Sequence, residues 1–250
     1  MAIFDKPILK IENISLHFGG VLALSDVNTN IYEGEIRGII GPNGAGKTTL
    51  FNLISRFFSP SKGAIYFEGH NLLNYKPHQI ISLGISRTFQ KSDLFLSMTV
   101  QENIEMGLHA RMGMTISKRK EEKIRQEAEE VLKILKLTDY RNIAALSLPF
   151  GIQRLVDLGR AIASKPKLIL LDEAASGMTV SEKSNLVNLI LEIRDKMALT
   201  ILFVEHDMKI IMKVSDNLTV LNYGKVIAEG KPAEVSKNPE VIEAYMGRST

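Results

Sequence analysis

The sequence predicts an α/β fold: a core built around a phosphate-binding loop, antiparallel strands before it, and a helical segment inserted into it. Three observations predict it. The stretch Gly41-Pro42-Asn43-Gly44-Ala45-Gly46-Lys47-Thr48-Thr49 follows the apolar run Ile36, Gly38, Ile39, Ile40 and precedes Leu50, Phe51, Leu53 and Ile54, which reads as strand, glycine loop and helix. Later, Leu168-Ile169-Leu170-Leu171 and Ile201-Leu202-Phe203-Val204 are short, wholly apolar runs of the kind buried on both faces of a parallel sheet. Between the loop and these runs, from about 95 to 160, helical periodicity takes over.

The loop needs its residue types. Gly41, Gly44 and Gly46 permit backbone geometries that a side chain would block, so successive N–H groups can turn inward on a phosphate. A helix beginning near Lys47 points its positive end at the same anion. Lys47 can reach the β- and γ-phosphates, and the Thr48 hydroxyl can bind magnesium. The loop alone says nucleoside triphosphate, and leaves open what the energy is used for.

Composition sets the bounds. A chain of 250 residues that is 45% hydrophobic can bury a full core, as one domain or a core with a smaller lobe. Lys+Arg at 31 against Asp+Glu at 28 lacks the strong basic excess expected of a nucleic-acid-binding protein. With no cysteine there is no disulfide framework and no thiolate metal site, which fits a reducing compartment. Residues 1–10 lack the apolar centre of a signal peptide, and no apolar run reaches the ~18–20 residues that span a bilayer. Any membrane role is expected through a partner.

In chain order, residues 8–18 and 22–32 are rich in Ile, Leu and Val and read as antiparallel strands joined at Gly19-Gly20. Phe18, just before those glycines, suits stacking on a purine or a place in the core. Glu33-Gly34 is a turn, 63–69 a short strand, 77–83 a short helix opened by Pro77, and 85–89 a strand. Thr99-Val100-Gln101-Glu102 has capping-box spacing and starts a helix. Residues 117–137 form one amphipathic helix with Ile124, Ala128, Val131, Leu132 and Leu135 inward; its mixed charges read as a solvated face. A long helix over about 180–197 buries Leu186, Leu189, Ile190 and Ile193. Runs at 218–221 and 226–228 form a hairpin around Asn222-Tyr223-Gly224, and Pro232 and Pro239 open short terminal helices.

A second site follows the run at 168–171. Asp172-Glu173 emerges at the carboxyl end of a sheet strand, the edge where open α/β sheets place ligands. Asp172 suits magnesium held through water, and Glu173 suits orienting or deprotonating an attacking water. Between the two sites lies Leu148-Pro149-Phe150-Gly151-Ile152-Gln153-Arg154. The ordered set of phosphate loop, Gln90, the segment at 148–154, Asp172-Glu173 and His206 resembles the ATP-binding cassette (ABC) family over essentially the whole chain. Four local strings are similar to the ATPase subunits of high-affinity branched-chain amino-acid importers. They are His17-Phe18-Gly19-Gly20-Val21, Gly84-Ile85-Ser86-Arg87-Thr88-Phe89-Gln90, Glu205-His206-Asp207-Met208 and Val241-Ile242-Glu243-Ala244-Tyr245-Met246-Gly247. Relatives of that branch carry urea or other amides, or act in lipopolysaccharide export.

The resemblance implies a P-loop NTPase (RecA-like) core, with core residues 1–94 and 161–250 and a helical subdomain over about 95–160. It implies ATP and Mg2+ as cofactors, with residues 41–49, Phe18, Phe150, Gly151 and Gln153 on nucleotide, and Thr48, Gln90 and Asp172 at the metal. Glu173, His206, Lys47 and Gln90 are the implied catalytic residues. The implied partners are transmembrane permease subunits, met through residues 91–98, or else those apolar residues pack inside the lobe. A second ATP-binding chain, identical or related, and indirectly an extracytoplasmic substrate-binding protein are implied too, with no nucleic acid. The implied location is peripheral, at the cytoplasmic face of the inner membrane.

Departures from the family pattern fall in two places. The usual Leu-Ser-Gly-Gly-Gln signature donates to the γ-phosphate held by the opposite subunit, but here Pro149 replaces the serine and Phe150 the first glycine. Proline removes a hydroxyl and an N–H, and one lost charge-assisted hydrogen bond is worth ~1.5–3 kcal/mol. Ala174 stands where proline is common, and Thr179 where an aspartate usually reaches across the dimer. A cytosolic ABC protein acting on ribosomes or DNA usually carries paired cassettes or long insertions, which this chain lacks. A GTPase reading finds no Asn-Lys-x-Asp motif, and an ATP-binding scaffold without turnover stays open at this stage.

Overall fold

The computed structural model describes residues 7–89, 93–112 and 117–246. Its two sheets divide the chain as the sequence patterns suggest. β1 (Pro7–Phe18) and β2 (Val21–Tyr32) form an antiparallel hairpin closed by Phe18 opposite Val21. β3 (Ile36–Ile40) then leaves for the second sheet, and α1 (Lys47–Ile54) follows the phosphate loop. β4 (Lys62–Phe67) and β5 (His70–Asn71) return to the first sheet, whose order is β2-β1-β4-β5.

A 3-10 turn at Pro77–Gln79 runs into α2 (Ile80–Leu83), and β6 (Ile85–Arg87) ends two residues earlier than the sequence suggests. The Thr88 N–H still bonds the Leu170 carbonyl at 3.0 Å, but the Phe89 carbonyl accepts from Arg154 at 3.2 Å and leaves the ladder. Three helices follow: α3 (Val100–Met112), α4 (Lys118–Ile134) and α5 (Phe150–Ala163). The Thr99–Glu102 capping box forms as expected, with Thr99 N–H on Glu102 Oε2 at 2.7 Å. α4 stops short of 137 because Lys136 takes a left-handed φ of 58° and the Leu137 N–H turns back to the Leu132 carbonyl at 2.8 Å. α3 and α5 touch backbone to backbone: a Cβ on Gly107 would strike the Arg160 carbonyl oxygen.

β7 (Leu168–Asp172), α6 (Val180–Met197), β8 (Thr200–Val204), α7 (Met208–Val214), β9 (Asn217–Asn222) and β10 (Lys225–Gly230) complete the second sheet and its cover. α8 (Pro232–Val235) and α9 (Pro239–Met246) close the described chain, each opened by its proline. The second sheet runs β10-β9-β3-β8-β7-β6, parallel except at β10. Alternation in its strands sends side chains to two cores. Leu168, Leu170, Leu202 and Val204 meet α1 and the antiparallel sheet, while Ile169, Leu171, Ile201 and Phe203 join α3, α4, α5 and α6. β8 lies between β3 and β7, so three segments far apart in sequence end side by side.

Candidate nucleotide site

The phosphate loop is wedged into place by two glycines. A Cβ at Gly41, whose φ is 151°, would strike the Leu221 carbonyl oxygen, and one at Gly46 would stand 2.6 Å from Leu24 Cδ2. Gly224 N–H donates to the Ala45 carbonyl at 3.0 Å, which ties the β9–β10 turn to the loop. Lys47 Nζ donates to the carbonyls of Gly41 at 2.6 Å and Pro42 at 2.9 Å, so its ammonium lies within the loop it serves. Asn43, Gly44 and Thr48 are exposed, Pro42, Gly46 and Thr49 half-buried, and Ala45 buried. Burial pushes the Lys47 ammonium below its ordinary value, and the nearby charges of Glu173 and Asp172 oppose that shift.

The carboxylates sit at the neighbouring strand ends. Asp172 is the last residue of β7; burial raises its carboxyl, and the hydrogen bond from Arg87 opposes the rise. Glu173 follows with a left-handed φ of 51°, a strained conformation for a residue with a side chain. Its N–H still bonds the Val204 carbonyl at 2.9 Å, so the bend starts from the sheet itself. The bend presents the carboxylate to His206, whose Nε2 lies 2.6 Å from Glu173 Oε1. Lys47, Asp172, Glu173 and His206 are thereby brought together.

Other expected residues lie elsewhere. Gln90 falls outside the described residues, as do Lys91 and Ser92 of the 91–98 segment and Gly247 of the terminal string. Of the remainder of that segment, Leu94 is buried in the core while Phe95 and Leu96 are exposed. The Phe18 ring is 45% exposed and stands edge-on to Phe58, with centroids 5.1 Å apart. Its hairpin runs beside the loop, since Ala23 and Leu24 of β2 abut Gly46. The segment at 148–154 faces α6 of its own chain. Pro149 is the N-cap of α5, a Cβ on Gly177 would lie 2.8 Å from Phe150 Cε1, and one on Gly151 would strike the Glu182 carboxylate. Gln153 Nε2 donates to the Leu148 carbonyl at 3.0 Å, a local use of that amide.

Several supporting groups have no signature in the sequence alone. Arg87 pairs with Asp172, and Glu205 accepts the N–H groups of Ala175 at 2.6 Å and His206 at 3.2 Å. Burial raises the Glu205 carboxyl and those two amides oppose it. Partial burial pushes the Tyr245 hydroxyl of α9 up, and the nearby Gly41 amide opposes the shift. Arg154 and Arg160 of α5 reach the carbonyls of Phe89 at 3.2 Å and Asp93 at 2.6 Å. Arg87 and Tyr245 lay inside strings quoted from the sequence, but only the strand order shows what they touch.

Comparison with known proteins bears on this geometry. Residues 24–176 match the ABC transporter family, and residues 225–249 match the branched-chain amino acid ATP-binding cassette transporter family. The chain is 35% identical over 254 residues to BraF, a high-affinity branched-chain amino acid transport ATP-binding protein of Pseudomonas aeruginosa, covering 98% of this chain and 100% of BraF. It is 37% identical to the Escherichia coli K12 protein LivG, described in the same words, with the same coverage. The ADP conformation of MJ1267, an ATP-binding cassette of an ABC transporter, superposes with a TM-score of 0.86 at 33% identity, covering 97% of this chain and 100% of MJ1267. A dimeric post-hydrolysis structure of the cassette MJ0796, bound to ADP and Pi, superposes with a TM-score of 0.79 at 27% identity over 90% of this chain and 98% of MJ0796.

Proposed function

The chain belongs to the ABC transporter family as one of its ATP-binding proteins, and on that premise we propose that it energises import of branched-chain amino acids through membrane permease subunits. It binds nucleotide and hydrolyses ATP. The observation that carries the reading is the convergence of Lys47, Asp172, Glu173 and His206 at one sheet edge, with the start of the 148–154 segment packed on Gly177 and Glu182 instead. Such a site holds ATP by itself and needs the signature segment of a second cassette, identical or related, for efficient turnover.

The chain's own residues divide the work. Loop amides of 41–49 and the positive end of α1 hold the phosphates, and Lys47 swings from the carbonyls of Gly41 and Pro42 onto them. Glu173 takes a proton from the attacking water, and His206 holds Glu173 Oε1 in place. Magnesium suits the donors present. Among the described residues no group of three or more His, Cys, Asp or Glu is arranged to hold a metal ion, so a cation there would draw on phosphate and water oxygens besides Thr48, Asp172 and Gln90. Bound there, Mg2+ would neutralise charge developing on the phosphates.

The permease is assigned to a groove of about 320 Å³ whose lining includes Phe57, Ile80, Phe89, Phe95 and Met106. Buried Asn103 holds its rim: its Nδ2 donates to the carbonyls of Phe95, Met98 and Thr99, and its Oδ1 accepts the Phe95 N–H at 2.9 Å. The groove lies between the proposed core (1–94 and 161–250) and the proposed helical lobe (95–160). Among the described residues no helix is long and apolar enough to cross a membrane, so membrane attachment is assigned to that contact, at the cytoplasmic face. An extracytoplasmic binding protein would set the substrate. The test is co-purification with the permease subunits encoded beside the gene, reconstitution in vesicles, and labelled uptake. ATP-dependent uptake of leucine, isoleucine and valine is expected; uptake of urea alone, or co-purification with ribosomes instead, would overturn the reading.

A further inference from the structure

The magnesium carboxylate and the permease groove share one side chain. Arg87 Nη2 donates to Asp172 Oδ2 at 2.8 Å, in an ion pair whose side chains are only 7% and 3% exposed. Its Nη1 donates to Asn52 Oδ1 at 2.7 Å and to Ser55 Oγ at 2.8 Å, both at the end of α1. The guanidinium carbon stands 5.6, 6.0 and 5.0 Å from the ring centroids of Phe51, Phe57 and Phe89. Phe57 and Phe89 pack edge to face at 5.8 Å, and both line the groove together with Arg87 itself. The buried Nε of Arg87 has no partner among the described residues.

A buried ion pair is a poor way to gain stability, because desolvation offsets most of the attraction. Geometry is what it supplies. A guanidinium is a rigid planar fork, so its tilt, set on one side by aromatic rings, fixes where its acceptors lie on the other. Here two of the three rings, Phe57 and Phe89, belong to the groove, while Phe51 and the acceptors belong to α1, which carries Lys47 and Thr48, and to Asp172.

We propose that Arg87 is a positioning residue that transmits occupancy of the groove to the nucleotide site. A permease helix seated on Phe57 and Phe89 holds the guanidinium plane, and the plane holds Asp172 and the end of α1 in the geometry that takes nucleotide and metal. The proposal rests on the groove being the permease contact. It gives a route from groove to phosphate loop through a single side chain.

Coupling is read as the ratio of ATP turnover in the permease complex to turnover of the cassette alone. In Arg87→Lys, which keeps the charge and loses the fork, that ratio should fall about ten-fold while the complex still co-purifies at wild-type stoichiometry. Binding of a fluorescent ATP analogue to the isolated cassette should also lose part of its tightening by Mg2+. A ratio within about two-fold of wild type in an intact complex would overturn the proposal. Should Arg87→Lys fail to fold, Phe57→Ala serves, since Phe57 is 54% exposed and stands outside the ion pair. The same loss of ratio in an intact complex is expected, and an unchanged ratio overturns the proposal. Failure of the wild-type chain to bind permease overturns the groove reading, and this proposal with it.

Discussion

The sheet edge that carries Asp172, Glu173 and His206 and the helix start at 149–151, proposed above as the two halves of a nucleotide site shared between cassettes, are built to different standards. At the sheet edge each charged group has a placed partner: Lys47 on loop carbonyls, Asp172 on Arg87, Glu173 on His206. At the helix start, Pro149 offers neither hydroxyl nor N–H, Phe150 lies over Gly177, and the Glu182 carboxylate stands against Gly151. Arg154 closes the group, its guanidinium carbon 4.9 Å from the Phe150 ring centroid. One region is prepared for a phosphate group and the other is satisfied within its own chain. On the reading proposed above, nucleotide capture belongs to this chain, and closure against a second cassette is expected to be weaker on the face this chain contributes.

If that division holds, the largest effects come from the sheet edge. Glu173→Gln keeps shape and loses the base, so phosphate release should fall about 10²–10⁴-fold with nucleotide binding retained, and ATP-loaded cassettes should accumulate as dimer. Loss of less than ten-fold would remove Glu173 from the role of base. Lys47→Ala deletes a charged donor, so equilibrium binding of ATP should weaken about ten-fold or more. Unchanged affinity in a fluorescent-nucleotide titration would mean that the loop amides alone hold the phosphates.

Pro149→Ser probes the weaker half. Restoring a hydroxyl and an N–H at the N-cap should tighten ATP-dependent association about ten-fold in a Glu173→Gln background, read by sedimentation. Weakened association would contradict the lost-donor account.

Periodicity made most of this fold legible, because each element buries a face whose spacing is its own. The runs at 168–171 and 201–204 carried the parallel sheet, and Ile124, Ala128, Val131 and Leu132 all turn inward on α4. What stayed illegible depends on strand order. Only the placement of β8 between β3 and β7 sets His206 against Glu173, and only β6 beside β7 brings Arg87 to Asp172. The left-handed φ at Glu173 is hidden for another reason: no glycine or asparagine marks it, and it occurs in a residue whose N–H still keeps the sheet bond to Val204. Lys136 hides the end of α4 in the same way. The motif at 148–154 was legible as a departure, but its contacts with Gly177 and Glu182 come from the start of α5 meeting the turn and first residues of α6.

The smallest expected effect tests the comparison at its finest point. Glu182 does two jobs: Oε2 accepts from the Thr179 N–H at 2.8 Å and hydroxyl at 2.7 Å, and its carboxylate lies against Gly151 at the start of α5. The first job needs only an acceptor, and glutamine serves in a capping box as well as glutamate does. The second depends on charge, since a carboxylate at a helix N-terminus occupies the field that would otherwise favour an incoming phosphate. Glu182→Gln therefore keeps α6 capped and frees the positive end of α5. ATP-dependent association in the Glu173→Gln background should tighten about two- to five-fold, with the gain lost as salt is raised. Combined with Pro149→Ser, the two gains share one phosphate and should fall short of multiplying. If Glu182→Gln instead weakens association while melting at the wild-type temperature, the carboxylate is a contact made to the second cassette, and the two halves are less unequal than their geometry in one chain suggests.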